Sequence, residues 1–189
     1  MPSRRMGPAD SATSNALLDA AERVMRNDGY GAASSRRIAE EAGVKQQLVY
    51  YYFRTMDELL LACFRRRTER ALARLHENAA SDHPVRAIWD TLSNASDGKL
   101  SFEFMALANH HEGIRAEVAR FVSESRQVEA AAIARLQARS GKLAALTPKA
   151  AAFLMSSVSL MMMREQATGI DEGHGEMKVL VEKMLAEFD

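Results

Sequence analysis

The chain has 189 residues, of which 47% are hydrophobic, with one cysteine and a formal net charge of +0 at pH 7. This apolar fraction excludes a wholly disordered chain, and a single cysteine excludes an intrachain disulfide framework. The charges are unevenly divided, because residues 1–75 hold 13 Lys and Arg against 9 Asp and Glu, whereas residues 76–189 hold 12 against 16. The balanced total argues against a nucleic-acid partner, but a modestly basic front half is compatible with a nucleic-acid-binding head.

The first 13 residues contain two prolines, a glycine and several small polar residues, which predict a flexible N-terminal arm. Arg4 and Arg5 in this arm could reach a DNA backbone or minor groove, although a solubilising tail is the favoured interpretation. Residues 14–27 then show the helical spacing of apolar side chains that predicts the first helix. Its apolar face consists of Leu17, Ala21, Val24 and Met25.

Two short helical runs flank Gly43 in the stretch from residue 34 to residue 53. Ser34 or Ser35 can cap the first run, because a serine hydroxyl accepts a hydrogen bond from an unpaired amide at a helix start. Gly43 follows where a chain leaving a helix takes up the left-handed conformation that glycine reaches most easily. Val49 and Phe53 are four residues apart and therefore face inward together. The pattern predicts a helix-turn-helix.

The second run presents polar side chains outward at Lys45, Gln46, Gln47, Tyr50 and Tyr51. Glutamine can pair with adenine through two hydrogen bonds in the major groove, and tyrosine hydroxyls can donate to phosphates. The neighbouring first run adds positive charge through Arg36 and Arg37. These residue types favour DNA binding. An ordinary pair of packed helices with a solvated outer face is the alternative, because such turns are common.

The remaining chain is predicted to be helical throughout, which gives an all-α fold of about nine helices. Thr55 caps a fourth helix that extends to about residue 78 and carries a run of arginines, most of which are expected to be solvated. Later helices are predicted at about 84–96, 99–111, 114–139 and 148–167, followed by a flexible acidic loop at 169–175 and a last helix. The helix at 148–167 is apolar on nearly every side, so it is expected to be buried all round. Its longest apolar run is too short to span a bilayer.

The N-terminal third resembles the N-terminal domain of TetR-family transcriptional regulators over about residues 14–61. The residues that carry this resemblance are Gly29, Tyr30, Ala32, Ser34, Arg36, Ile38, Ala39, Glu40, Ala42, Gly43, Val44, Tyr50, Tyr52, Phe53, Leu59 and Leu60. The resemblance implies a homodimeric all-helical repressor whose C-terminal domain binds a small effector. It also implies DNA contacts at Ser35, Arg36, Gln46, Gln47, Leu48, Tyr50, Tyr51 and Tyr52.

One departure from the family pattern follows the aromatic residues of the second run. The family usually has Ser-Lys-Glu at this point, and this chain has Thr55, Met56 and Asp57. The usual lysine contacts a phosphate, so the substitution of Met56 puts that contact in doubt. Arg54, two residues before Met56, could replace it in part.

The resemblance divides the chain into the arm at 1–13, a helix-turn-helix domain at 14–55 and an effector-binding and dimerisation domain at 56–189. The last two helices have more apolar surface than one small domain can cover, so we expect them to pair with their copies in a four-helix bundle. Such a symmetric dimer would place its two recognition helices about 34–36 Å apart, or one turn of DNA. The expected interface residues are Ala152, Met155, Ser159, Met162, Met177, Leu180, Val181 and Met184.

The residues alone favour a plain hydrophobic core in the middle helices, but the resemblance implies an effector pocket there, with an amide or imidazole as polar anchor. The candidate lining residues are Trp89, Phe102, Met105, Asn109, His110, Phe121 and Met155. A ligand of such a pocket would be mostly apolar. A plain hydrophobic core is the alternative interpretation of the same residues.

Enzymatic activity is not expected, since the sequence contains no nucleophile motif and no glycine-rich phosphate loop. His110 and His111 are adjacent and therefore point to different sides of a helix, which is unsuitable for one metal ion. His174 lies in the acidic loop and could gather a surface ion, but a solvated loop is favoured. Cys63 is expected to be buried and unreactive. We therefore expect no catalytic residues, cofactor or metal.

The sequence thus predicts a cytoplasmic DNA-binding transcriptional regulator, a repressor released from its operator by a small, largely apolar effector. The fourth helix joins the head to the rest, so a tilt of this helix would move the head. A ligand acts in this way only if it binds the two arrangements with different affinity. The alternative is a helical ligand-binding or interaction protein that keeps the head only as structure.

Overall fold

The computed structural model describes residues 11–93, 98–140 and 146–186, and every regular element within these ranges is helical. A 3₁₀ turn at Tyr30–Ala32 follows the first helix. The helices are α1 at Ala12–Asp28, α2 at Ser35–Ala42, α3 at Gln47–Tyr52, α4 at Met56–Ala79, α5 at Pro84–Leu92, α6 at Gly98–Ala108, α7 at Glu112–Ser140, α8 at Pro148–Ala167 and α9 at His174–Ala186. The predicted all-α class and number of helices are confirmed. None of the helices in these ranges is both long and apolar enough to cross a membrane.

Local side-chain chemistry starts several of these helices where the sequence predicts. The hydroxyls of Ser34, Thr55 and Thr147 each accept a hydrogen bond from the amide three residues later, at 3.1–3.2 Å. Each bond satisfies one of the amides that a first helical turn leaves unpaired. Pro148 then occupies the first turn of α8, where its missing N–H is harmless.

The chain packs into two compact units, and the first has its residues within 1–68 and 99–118. Its core joins α1–α4 to α6 and the start of α7; the fully buried side chains there include Leu17, Met25, Ile38, Val49, Leu59, Cys63, Phe104 and Ile114. This unit has residues on both sides of the boundary predicted between residues 55 and 56. The predicted boundary therefore does not coincide with the division between the two packed units. The division into a helix-turn-helix domain and an effector-binding domain stays a prediction.

Two apolar clusters hold the second unit, which has its residues within 69–98 and 119–189. One cluster is built around Trp89, Ile133, Ala152 and Leu185, and the other around Leu75, Ile88 and Ala132. The α5 helix ends at Leu92, earlier than the predicted residue 96, and the Ser159 hydroxyl of α8 donates to the Leu92 carbonyl at 2.5 Å. A terminal carbonyl of α5 thereby gains a partner.

Two further helix boundaries differ from those predicted. The α6 helix ends at Ala108 and not at residue 111, because the amides of His110 and His111 both donate to the Leu107 carbonyl and close a terminal turn. His174, which was expected in a solvated loop, begins α9 and is buried, with its Nε2 2.8 Å from a carboxylate oxygen of Glu165. This contact joins α8 to α9 through one of the two ring nitrogens of His174.

The α8 helix is not buried all round within a single chain. Four of its large apolar side chains are exposed, namely Phe153, Leu154, Leu160 and Met161. The α9 helix likewise exposes Val179, Leu180 and Met184. The expectation of complete burial is therefore wrong for the isolated chain.

Candidate nucleic-acid interface

The turn between α2 and α3 is built as the sequence predicts. Gly43 has φ 68° and ψ 30°, which is left-handed backbone, and its amide donates to Glu40 while the amide of Val44 donates to Ala39. These two bonds satisfy the last carbonyls of α2 and redirect the chain. Val49 and Phe53 then anchor α3 in the core of the first unit.

With one side of α3 anchored, its other side is presented to solvent. The six residues Gln47–Tyr52 include no acid, and Tyr50 is 51% exposed. Lys45, Gln46, Gln47 and Tyr51 are also exposed. The resulting surface carries amide, phenol and ammonium groups, which suit base edges and phosphates.

Two of the expected contact residues are less available than their neighbours. Leu48 and Tyr52 are half-buried, and Tyr52 packs against the core of the first unit. The Tyr52 ring also meets the Tyr51 ring edge-on, with centroids 4.9 Å apart. We infer that Tyr52 supports the orientation of Tyr51 more than it offers a surface of its own.

Ser35 differs most from expectation among the predicted contact residues. Its side chain is buried, and its Oγ lies 2.9 Å from Nε2 of Gln46 and 3.1 Å from the hydroxyl oxygen of Tyr50. Ser35 therefore joins the start of α2 to two residues of the exposed α3 surface. Helical periodicity gives no signal for this arrangement, because it depends on how α2 and α3 cross.

The two adjacent arginines of α2 have different roles. Arg36 is 80% exposed and pairs with Glu40 on its own helix at 2.9 Å, so the pair contributes little and Arg36 can turn to a phosphate. Arg37 bonds to Asp28 and Glu41, both at 3.1 Å. Hydrogen bonds from Arg23 and then Arg37 lower the pKa of the Glu41 carboxyl. Arg37 thus ties α1 to α2.

The departure at Met56 has a structural counterpart. Met56 is half-buried and packs against the core of the first unit, where a lysine would project differently. Arg54 is exposed and bonds to Glu58 through its Nε at 3.2 Å and its amide at 3.1 Å. The Arg54 guanidinium therefore lies beside the end of α3, but it is paired with the Glu58 carboxylate.

The predicted effector-pocket residues fall into both compact units. Phe102, Met105, Asn109 and His110 belong to the first unit, where Met105, Asn109 and His110 are exposed. Trp89, Phe121 and Met155 belong to the second unit, where Met155 packs against both apolar clusters, Trp89 is a member of one and Phe121 packs against the other. One pocket formed by all seven residues stays a prediction.

The second unit contains a partly enclosed hollow of about 270 Å³ beside Trp89, between α5, α8 and α9. Its apolar wall is made of Trp89, Met162 and Met163, and its polar rim of Ser93, Gln166, Lys178 and Glu182. A wider groove of about 660 Å³ lies between α4 and α7. Arg135 lines this groove, but its guanidinium donates to the Ala79 carbonyl at 2.7 Å and so serves the end of α4.

The expected dimer residues divide by burial. Ala152, Ser159 and Met162 are buried within the second unit, which leaves them little surface to offer a partner, and their place in an interface stays a prediction. Met155, Met177 and Val181 are partly buried against the same cluster. Leu180 and Met184 are exposed. Because α8 is apolar on several sides, sequence alone did not show which side faces inward.

Residues that could bind a metal are scattered in the described part of the chain, where no group of three or more His, Cys, Asp or Glu is placed to hold an ion. The Nδ1 atom of His111 lies 3.4 Å from a carboxylate oxygen of Asp57, and the His111 ring meets the Tyr30 ring edge-on. Cys63 is buried, as predicted, and burial raises the pKa of its thiol to about 12. Such a thiol is unreactive near neutral pH.

Comparison with known proteins places the helix-turn-helix in a family. Residues 17–63 match the model of the bacterial regulatory proteins of the tetR family. The fatty acid metabolism regulator protein of Bacillus subtilis is 29% identical over 62 residues, which are 33% of this chain and 32% of that protein. The match thus spans about a third of the length of the curated relative.

Solved structures share the fold over most of the chain. A TetR-family regulator from Rhodococcus sp. superposes with a TM-score of 0.73 at 20% identity, covering 94% of this chain and 98% of its own. The reduced form of E. coli NemR gives a TM-score of 0.77 at 16% identity, covering 90% and 96%. At these identities the likeness concerns the fold alone.

Proposed function

We propose that this chain, whose residues 17–63 match the model of the tetR family of bacterial regulatory proteins, is a member of that family and represses transcription by binding operator DNA as a homodimer. The observation that carries the proposal is the α3 surface, where Gln47, Tyr50 and Tyr51 are exposed on a helix that Val49 and Phe53 anchor. A cytoplasmic location, where bacterial DNA lies, is part of the same proposal.

The proposed contacts follow from the chemistry of the exposed groups. Gln47 offers an amide that can pair with adenine in the major groove, and Gln46 offers a second amide beside it. Tyr51 and Lys45 offer donors to phosphates, as Arg36 does from α2, and Tyr50 offers its hydroxyl to an adjoining base. No carboxylate lies on α3 to repel the backbone.

The proposed dimer uses the exposed apolar sides of α8 and α9. Seven large apolar side chains there are exposed, at Phe153, Leu154, Leu160, Met161, Val179, Leu180 and Met184. An apolar patch of this kind on a regulator with a shared fold favours a symmetric interface between copies. Twofold symmetry would present α3 twice, about 34–36 Å apart, to successive major grooves.

The hollow beside Trp89 is the proposed effector site. It is smaller than the roughly 300–1,000 Å³ of most ligand pockets, so we propose a small effector with an apolar body and a polar end that meets Gln166 or Lys178. The fatty acid named in the curated relative does not transfer, because that match covers a third of each chain. The effector would act by favouring an arrangement of the dimer that no longer fits the operator.

The experiment starts by recovering the fragments of its own genome that the purified protein retains. On such a fragment, Gln47→Ala combined with Tyr50→Ala is expected to abolish binding in a gel shift, while the circular dichroism spectrum and the light-scattering mass stay unchanged. Gln127→Ala, at an exposed glutamine of α7, is the matched control and should bind normally.

Unchanged affinity of the double variant would contradict the proposal. Retention of no fragment at any salt concentration would instead favour the alternative, a helical ligand-binding or interaction protein. Two observations motivate that alternative. Met56 stands where the family usually has a lysine, and the formal net charge of the chain is +0.

A further inference from the structure

We propose that Ser35 is a positioning residue, which orders Gln46 and Tyr50 for base reading and does not itself contact DNA. This inference rests on the proposed function and goes beyond it, because it assigns Ser35 a different role from a direct contact. The observation is one hydroxyl that lies 2.9 Å from Gln46 Nε2 and 3.1 Å from the Tyr50 hydroxyl.

The burial of Ser35 argues against direct contact. Ser35 is 7% exposed, whereas Gln46 and Tyr50 on either side of its hydroxyl are exposed. The adjacent Ser34 has another role, since its hydroxyl accepts from the amide of Arg37 and caps α2. Ser34 therefore caps α2, whereas the Ser35 hydroxyl is left to position Gln46 and Tyr50.

The chemistry of a serine hydroxyl suits the arrangement. It has one proton and two acceptor lone pairs, so its oxygen can accept both from the Gln46 amide and from the Tyr50 hydroxyl. Gln46 uses one N–H in this way and keeps its carbonyl oxygen and second N–H for a base edge. A side chain fixed before binding loses less conformational freedom when the complex forms.

Gln47 supplies an internal reference. It has the same side chain at the next position and is exposed, but no bond holds it within the described part of the chain. The structure thus pairs one ordered glutamine with one free glutamine on the same surface. The proposal requires the two amides to differ in mobility before any DNA is present.

The first test uses the free full-length protein. Side-chain amide relaxation in NMR should show Gln46 more ordered than Gln47, and Ser35→Ala should make the two alike. Equal mobility of the two amides in the unmodified protein would overturn the proposal without touching the proposed function.

The second test measures affinity for a genomic fragment that the unmodified protein retains, and for an unrelated duplex of the same length. Ser35→Ala should weaken binding to the retained fragment by roughly tenfold, the scale of one hydrogen bond, and should leave the unrelated duplex nearly unaffected. Loss of a phosphate contact would weaken both duplexes alike, because phosphate contacts carry no sequence information.

A double-mutant cycle then separates positioning from contact. If Ser35 acts through its two partners, adding Ser35→Ala to Gln46→Ala with Tyr50→Phe should weaken binding no further. Additive losses would overturn the proposal. Ser34→Ala is the control, and it should lower the midpoint of urea unfolding while leaving the ratio of the two affinities unchanged. Failure of the unmodified protein to retain any duplex would overturn the proposed function and the role of Ser35 with it.

Discussion

The guanidinium of Arg66 on α4 donates to the Glu22 carboxylate of α1 at 2.9 Å, and both side chains are largely buried. The same Nη2 donates to Asp19 at 2.7 Å, so one arginine holds two acids of α1. Arg65 makes a similar contact to the buried Glu117 at 3.3 Å. The arginine run of α4 therefore contains residues that hold the first unit together.

Replacing Arg66 by methionine keeps the apolar stem and removes the charge. We expect Arg66→Met to lower the free energy of unfolding by about 2 kcal/mol, because two acids lose a charged donor and Glu22 stays largely buried. Urea unfolding followed by circular dichroism measures the change. Arg74→Met, at an exposed arginine of the same helix, should shift it by less than about 0.5 kcal/mol. Equal effects of the two variants would show that Arg66 is only solvated.

The proposed dimer is tested on the exposed side of its helices. Leu160→Glu combined with Leu180→Glu should reduce the light-scattering mass from twice the chain mass of 20.9 kDa to once that mass, because two carboxylates per chain would be buried unpaired. Val122→Glu is the matched control, since Val122 is equally apolar and exposed but lies on α7. A monomeric unmodified protein at micromolar concentration would remove the dimer from the account.

The effector proposal is testable with the single tryptophan of the chain, because Trp89 lines the hollow. Among small amphipathic acids and aromatic compounds titrated into the protein, a binder should change the fluorescence of Trp89. Gln166→Phe would fill part of the hollow from its rim and should weaken that response at least tenfold. Gln127→Phe, on α7, should leave the response intact. A response that survives Gln166→Phe would place the ligand elsewhere.

We expect the buried carboxyl of Glu129 on α7 to make the free energy of unfolding depend on pH. Burial raises the pKa of its carboxyl above the ordinary value of 4.5, against the opposing effects of a hydrogen bond from Ser156 and the charge of Arg126. The folded state thus binds the proton more tightly than the unfolded state does. The stability that this proton confers is complete below about pH 4.5 and is lost as the pH rises through the folded-state pKa.

The measurement is the free energy of unfolding of the unmodified protein relative to Glu129→Gln from about pH 4.5 to neutrality. We expect this difference to fall with rising pH, by at most about 1.4 kcal/mol per pH unit, since one proton is involved. Glu124→Gln, at a more exposed acid of α7 that pairs with Arg120, should not reproduce this fall. Parallel curves for the unmodified protein and Glu129→Gln would contradict the pKa direction.

Much of the fold follows from chemistry that is local in sequence. Ser34, Gly43, Thr55 and Thr147 are caps whose effect depends on three or four neighbouring residues, and the structure shows each at the predicted helix end. The burial of Val49 and Phe53 likewise follows from their spacing. The boundaries of α5 and α9 could not be found in this way, because the contacts of Ser159 with Leu92 and of Glu165 with His174 form only when separate helices pack together.

The sequence predicts which residue types form the candidate site better than it predicts what each residue does there. The exposure of Gln47 and Tyr50 follows from the face that Val49 leaves free. Ser35 and Arg66 could not be assigned, since their partners lie on other helices. The burial of Ala152 and Met162 within their own unit could not be predicted, because a helix that is apolar on several sides has no periodic signal to separate its own core from a partner.

The central claim is that two copies of α3 lie in successive major grooves of one operator. Methylation interference at guanine N7 on a retained genomic fragment tests this directly, because N7 is reached through the major groove. The account predicts two clusters of interfering guanines, with centres about 10 base pairs or a multiple of that apart. Retention of the fragment with no N7 interference, or with one cluster only, would contradict it.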